Sequence, residues 1–120
     1  MVLDWKSEAL AKGLDCYRRE EFWAAHEHWE SVWLQLDEPE KSFLRALIQT
    51  TAAFHHVQTG NTRGAILLLK KALPQFENCP VCFGGVDVAR LRVEAGTWLL
   101  ALESGSATHP VAFPEICPQQ

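Results

Sequence analysis

The sequence predicts an all-α fold, a compact bundle of about five helices in which neighbours along the chain pack antiparallel. Apolar residues recur at three- and four-residue spacing through most of the chain, and the breaks between these segments are short. No segment shows the sustained apolar–polar alternation that is typical of strands. The chain has 120 residues, of which 48% are hydrophobic and 22% charged, so it is long enough to bury a core without disulfides.

The first two helices are predicted on either side of a tight charged turn. The first begins at a cap, Asp4 or Ser7, and ends near Tyr17. The second covers residues 21–35, and the connection at residues 18–20 is so short that the two helices must pack antiparallel. The predicted apolar faces consist of Ala9, Leu10, Leu14 and Tyr17 in the first helix, and of Phe22, Ala25, His26, Trp29, Val32 and Trp33 in the second.

The third helix is predicted to be the central one. Asp37, Glu38 and Pro39 form a stop and restart signal, and the helix runs from there to about Val57. Apolar residues cover most of its circumference, which is typical of a helix surrounded by others. One narrow stripe is the exception, and we call it the polar stripe: Arg45, Gln49, Ala52 and His56.

The fourth helix is predicted over residues 62–73, with Asn61 as its cap and Pro74 as its end. Residues 75–85 contain proline and glycine and have no helical period, so they are predicted to form an ordered loop.

The fifth helix is predicted from a cap at Asp87 to a terminator at Gly105. Residues 1–105 are therefore expected to form a single helical-bundle domain. Residues 106–120 are expected to form a proline-containing C-terminal tail, with Pro110, Pro114 and Pro118.

Charge and hydropathy narrow the classes of partner. Eleven Lys and Arg against fifteen Asp and Glu give a net charge of −4, and no basic run exceeds two residues, so nucleic acid is not expected to bind. No window approaches the roughly 18 apolar residues of a membrane span, and the first residues do not resemble a signal peptide. We expect a cytoplasmic protein that has no membrane partner and whose four cysteines are reduced thiols.

The densest cluster of functional groups lies in the second helix, which reads His-Glu-x-x-Glu from His26 with a Trp three residues further on. His26 and Glu30 are one turn apart and converge, whereas Glu27 lies about 100° round the helix. The pattern partly matches His-Glu-x-x-His zinc helices, because zinc also accepts a carboxylate oxygen. His26 and Glu30 are therefore candidate metal ligands.

His26 lies within the apolar arc, so its ring nitrogens need partners, and two interpretations remain open. In the structural one, Glu30 or a polar side chain of the third helix satisfies the imidazole in a buried network. In the functional one, His26 and Glu30 face the polar stripe across a small cleft that holds a metal or a small anion, with His55 on the opposite, apolar side. The candidate ligand-binding residues are His26, Glu27, Glu30, Trp33, Arg45, Gln49 and His56.

Cys79 and Cys82 form a Cys-x-x-Cys pair, which is half of a zinc site or a redox dithiol. The redox use requires a strand before the first cysteine, and none is evident in the sequence. Zinc would need two more ligands, and His109 with Cys117 would supply them without any recognised spacing. We therefore expect two packed thiols and no zinc at Cys79 and Cys82.

Three stretches together resemble a family. They are residues 17–33, 43–56 and 60–65, and they look like the bacterial and archaeal domain-of-unknown-function family 309. The family's His-Glu-x-x-Glu-x-x-Trp signature falls on His26, Glu27, Glu30 and Trp33. The resemblance extends to about residue 102 and implies a small all-helical bundle. Ala24 stands where the family often has Glu, which thins the acidic cluster and weakens a multinuclear metal site, and Arg19 stands where the turn often has Gly.

Three classes of function fit these observations. The preferred one is non-enzymatic binding of a small ligand or a metal by the His/Glu cluster between the second and third helices. The second class is an enzyme, a metal-assisted hydrolase that uses the same residues. Whether the chain is an enzyme stays open. The third class is a helical protein–protein interaction module, which would show an apolar patch near Trp5 or Trp23. A homo-oligomer is compatible with this class and with ligand binding.

Overall fold

The computed structural model describes residues 3–105 and 112–118. This part of the chain contains five α-helices and one two-stranded antiparallel hairpin, so the all-α prediction is confirmed. The helices are Glu8–Arg18 (α1), Phe22–Trp33 (α2), Glu40–Gln58 (α3), Thr62–Glu77 (α4) and Val88–Glu103 (α5), and the strands are Cys82–Phe83 (β1) and Val86–Asp87 (β2). No helix of the described residues is both long and apolar enough to cross a membrane.

Each helix packs against the next one along the chain, and α3 lies in the middle. Its residues are buried almost all the way round, including Phe43, Leu47 and Phe54, which have no exposed surface. The hydroxyls of Thr50 and Thr51 are buried as well, and each donates a hydrogen bond to a carbonyl one turn back in the same helix. A polar group satisfied in this way costs a buried helix little. The predicted central position of α3 is thus observed.

Helix α4 continues past Pro74, where the sequence predicts its end. The observed helix reaches Glu77 and thereby places Phe76, which is 1% exposed, beside Phe43 with ring centroids 6.4 Å apart. Burial of a phenyl ring is worth about 1.5–3 kcal/mol, which is comparable with the roughly 3 kcal/mol that a proline costs inside a helix. The prediction that Pro74 closes the helix is wrong, because tertiary burial of Phe76 offsets the missing backbone donor.

The hairpin replaces part of the predicted loop. Cys82 pairs with Asp87 and Phe83 with Val86 across a two-residue turn formed by Gly84 and Gly85. Both glycines have positive φ, at 58° and 79°, as this tight turn requires. The Asp87 side chain then accepts a hydrogen bond from the Arg90 backbone N–H at 3.0 Å and caps α5, as predicted.

Helices α1 and α2 approach each other most closely at Gly13. The Trp29 indole has no exposed surface, packs against the rings of Trp5 and Tyr17 with centroids 6.2 and 6.1 Å away, and donates from Nε1 to the Leu10 carbonyl at 3.3 Å. A Cβ atom on Gly13 would lie 2.2 Å from Trp29 Nε1. Glycine is therefore what lets the large ring lie flat against α1.

Residues 112–118 form neither helix nor strand and lie against the helices. Phe113 contacts aromatic rings of three of them, and Ile116 is 2% exposed. Of the prolines noted in the sequence, Pro114 is buried here, and Pro110 lies outside the described residues. This part of the chain is thus packed on the helical body.

Candidate functional site

A shallow hollow of about 380 Å³ lies on the outer side of α2. All of its lining residues come from this one helix, because positions three and four apart face nearly the same way. We call it the α2 hollow, and it is formed by Trp23, His26, Glu27, Glu30 and Ser31.

His26 and Glu30 form a hydrogen-bonded pair at the floor and edge of the hollow. His26 Nε2 lies 2.8 Å from Glu30 Oε2, and the side chains are 15% and 57% exposed. A carboxylate has no proton to give, so Nε2 carries the hydrogen and donates it. The other nitrogen, Nδ1, is buried and has no hydrogen-bond partner. An unpaired buried nitrogen costs about 1–3 kcal/mol.

Trp23 forms a wall of the hollow. Its ring stacks on His26 with a centroid separation of 4.5 Å and an interplanar angle of 30°, and it contacts the ring of His55 from α3 at 5.0 Å. It is 45% exposed, so part of the indole remains available to solvent. This arrangement fixes the imidazole plane and leaves an aromatic surface beside two carboxylates.

The hollow is acidic. Glu27 and Glu30 are both exposed, and within residues 3–105 and 112–118 no Lys or Arg side chain forms an ion pair with either of them. The Glu30 carboxylate accepts a hydrogen bond from His26. A ligand that binds between them and Trp23 would be favoured if it carried positive charge.

The other predicted ligand-binding residues lie elsewhere. Trp33 donates from Nε1 to the Lys41 carbonyl at 3.0 Å, and its ring is covered by Lys41 Nζ at 5.3 Å and by the Arg45 guanidinium at 5.2 Å. These contacts fasten the connection between α2 and α3. Trp33 and Arg45 therefore do not line the α2 hollow.

Gln49 and His56 also face away from His26. Gln49 Oε1 accepts a hydrogen bond of 2.6 Å from Gln75 on α4, and His56 Nδ1 lies 3.3 Å from the side-chain amide of Asn61. The polar stripe thus meets three different neighbours along the length of α3. The expected cleft between it and the His26–Glu30 pair does not form.

His55 and Ser31 are the site neighbours that the sequence interpretation missed. His55, expected on an apolar side, packs against Trp23, and Ser31 lines the hollow one turn beyond Glu27. The spacing of four from Glu27 is the signal that would have identified Ser31. Trp5, one of two candidates for an exposed patch, is 5% exposed and donates to the Gly84 carbonyl at 2.7 Å.

The donor groups do not assemble a metal centre in the part of the chain that is described. No group of three or more His, Cys, Asp or Glu side chains there is arranged to hold an ion. Cys79 Sγ donates to the Gln75 carbonyl at 3.4 Å, and partial burial raises the pKa of this thiol. Cys82 and Cys117 are exposed, and His109 lies outside the described residues.

Comparison with known proteins shows a resemblance to one family. A curated relative is an "Uncharacterized protein" of Aquifex aeolicus (strain VF5), 32% identical over 88 residues, which are 72% of this chain and 26% of that protein. The chain thus spans about a quarter of the length of the curated relative it matches. Residues 10–68 match the model of the family described as "Domain of unknown function (DUF309)". This match covers α2, α3 and the α2 hollow, and it confirms that the chain resembles the DUF309 family.

Proposed function

We propose that this chain is a non-enzymatic binding protein whose α2 hollow takes a small organic cation. The observation that carries the proposal is the meeting, in one hollow, of two carboxylates with a half-exposed indole ring. Ammonium groups are attracted both by carboxylates and by the face of a tryptophan. A ligand with a positive charge and an apolar portion would use both features at once.

Four of the five residues of the hollow have a role in this proposal. Glu27 and Glu30 attract the charge, the exposed part of Trp23 covers the apolar portion, and His26 holds Glu30 by its 2.8 Å hydrogen bond. Each exposed charge contact is worth about 1 kcal/mol or less, and an exposed cation–π contact about 0.5–1 kcal/mol. Together these contacts are worth at most about 3 kcal/mol, so the expected dissociation constant is about 10 mM.

A bare divalent ion is the second candidate, because His26 Nε2 and Glu30 Oε2 converge, and their 2.8 Å separation would need to widen only to about 3.3 Å for two ligands of one tetrahedral ion. In that case the ion replaces the shared proton. The chain would supply only these two donors from the described residues, fewer than the three or four of known zinc sites. This donor set favours the organic cation and gives no support to a metal-assisted hydrolase.

Nuclear magnetic resonance titration with benzyltrimethylammonium tests the proposal. The indole N–H resonance of Trp23 should shift saturably, and Trp23→Ala or Glu27→Gln should weaken binding several-fold without unfolding the chain, because both side chains are exposed. The matched control is Glu77→Gln, which removes an exposed carboxylate on α4 and should bind like the wild type. Equal binding by all four proteins, or no saturable shift, would contradict the proposal.

A parallel titration with Zn²⁺ separates the two candidates. Loss of Zn²⁺ binding in His26→Gln, together with unchanged binding of the organic cation, would show that the histidine is a metal ligand. If Zn²⁺ does not bind the wild type and the organic cation does, the metal candidate is excluded.

A further inference from the structure

Backbone carbonyls of residues 112–117 are held by side chains of the helices. Three helical side chains donate hydrogen bonds to every second carbonyl of this segment, and we call them the donor row. The bonds run from Trp98 Nε1 to Ala112 at 3.1 Å, from Tyr17 Oη to Pro114 at 2.5 Å, and from Arg18 Nη2 to Ile116 at 3.5 Å. Carbonyl groups are common to every peptide, so the donor row does not depend on one particular sequence.

Two side chains of the segment enter the helical body. The Phe113 ring stacks on Trp98 with centroids 4.7 Å apart and an interplanar angle of 3°, and it meets Phe22 and Phe54 at 4.8 Å each. Ile116, three positions on, is 2% exposed. An aromatic and an aliphatic anchor therefore fill two recesses formed by the helices.

A pocket lies along one side of the segment. It has a volume of about 400 Å³, it is partly open to solvent, and Arg18, Glu20 and Phe22 form its helical wall. Clefts of this size are within the range of ligand-binding sites.

We infer that α1, α2, α3 and α5 form a peptide-binding groove and that residues 112–117 occupy it as an intramolecular ligand. The ligand class is a non-helical peptide with an aromatic and an aliphatic residue three positions apart, here in the order Phe-Pro-Glu-Ile. The donor row binds the backbone, and the two recesses select the side chains. This groove is separate from the α2 hollow, and the inference does not depend on the function proposed there.

Binding to an added peptide must overcome competition from the attached segment. A tethered ligand acts at an effective concentration of about millimolar, so the wild-type chain should bind the same sequence weakly when it is added in trans. The full chain with both Phe113→Ala and Ile116→Ala keeps its length and its donors but loses both anchors. Its groove should therefore be open to an added peptide.

The probe is a fluorescein-labelled peptide of residues 110–118 in which serine replaces the cysteine, and fluorescence anisotropy is the readout. We expect saturable binding to the double variant that is about tenfold tighter than to the wild type. A probe with the Phe113→Ala change should bind about tenfold more weakly. The full chain with Glu115→Ala, which changes an exposed side chain of the segment, is the matched control and should behave like the wild type.

No saturable binding to a double variant that circular dichroism shows to be folded would overturn the inference. If the double variant does not fold, the full chain with a specific protease site between residues 105 and 112 replaces it. After cleavage, replacement of the bound fragment by the labelled probe would support the groove. A fragment that the probe does not replace, or a cleaved body that does not take up the probe, would overturn it.

Discussion

Substitution of alanine for Gly13 sets two effects of opposite sign against each other. Alanine in the interior of a helix is favoured over glycine by about 1 kcal/mol, because less backbone entropy is lost on folding. The added methyl group, however, would lie 2.2 Å from Nε1 and 2.4 Å from Cδ1 of Trp29. Non-bonded carbon atoms prefer separations of about 3.5–4.0 Å, so the ring must shift by more than about 1 Å.

The Trp29 ring has little room to shift. It has no exposed surface, it lies between the rings of Trp5 and Tyr17, and its N–H is bonded to the Leu10 carbonyl. Overpacking of this kind costs about 1–3 kcal/mol, and loss of the indole hydrogen bond costs about 1 kcal/mol more. After the gain in helix propensity is subtracted, Gly13→Ala should lower the free energy of unfolding by about 1–3 kcal/mol.

Gly96→Ala is the matched control for this prediction. It makes the same change within α5, where no atom lies within 4 Å of the added methyl group, so it should raise the free energy of unfolding by about 0.5–1 kcal/mol. Urea denaturation followed by circular dichroism measures both differences, with unchanged slopes as evidence of two-state unfolding. A Gly13→Ala chain as stable as the wild type would refute the close packing of Trp29 on α1.

Three further predictions concern titratable groups. A double-mutant cycle of His26→Ala and Glu30→Ala should give a coupling free energy of about 0.2–1 kcal/mol, small because Glu30 is 57% exposed, and strictly additive effects would show that the 2.8 Å bond does not form in solution. Burial raises the pKa of Tyr17 well above its ordinary value of about 10, so the folded state keeps a proton that the unfolded state releases. The free energy of unfolding should therefore be unaffected by this group below about pH 10 and fall above it by up to about 1.4 kcal/mol per pH unit. In Tyr17→Phe the free energy of unfolding should not show this additional fall at alkaline pH. Identical alkaline profiles of the variant and the wild type would contradict the prediction. Iodoacetamide should modify Cys79 more slowly than Cys82, because burial raises the pKa of the Cys79 thiol whereas Cys82 is exposed, and mass spectrometry should show this difference. Equal protection of both thiols would point to a shared metal instead.

The helices were predictable because their boundaries depend on short-range sequence signals. Asn61 and Asp87 cap α4 and α5 by accepting hydrogen bonds from backbone N–H groups three residues on, as short-range chemistry predicts. The end of α4 was not predictable in this way. Its continuation past Pro74 depends on burial of Phe76 against α3, and a sequence pattern does not specify that distant contact.

In the candidate site, too, contacts within one helix were predictable and contacts between helices were not. The pairing of His26 with Glu30 follows from a spacing of one helical turn, and the sequence predicts it. The partners of Arg45 and Gln49 depend on how α3 is rotated against its neighbours, and they lie on different helices. Single-helix periodicity defines a polar stripe but carries no information about which helix each of its members meets.

The position of Phe113 has a consequence for the order of folding. The segment around it meets α1 across a separation of 97 residues, whereas the contacts between consecutive helices are local. Closing so long a loop is entropically costly, so we expect the helices to associate first and the segment to dock late, after the rate-limiting step. During synthesis the helical body would therefore expose the aromatic recess between Phe22, Phe54 and Trp98 until residue 113 has left the ribosome.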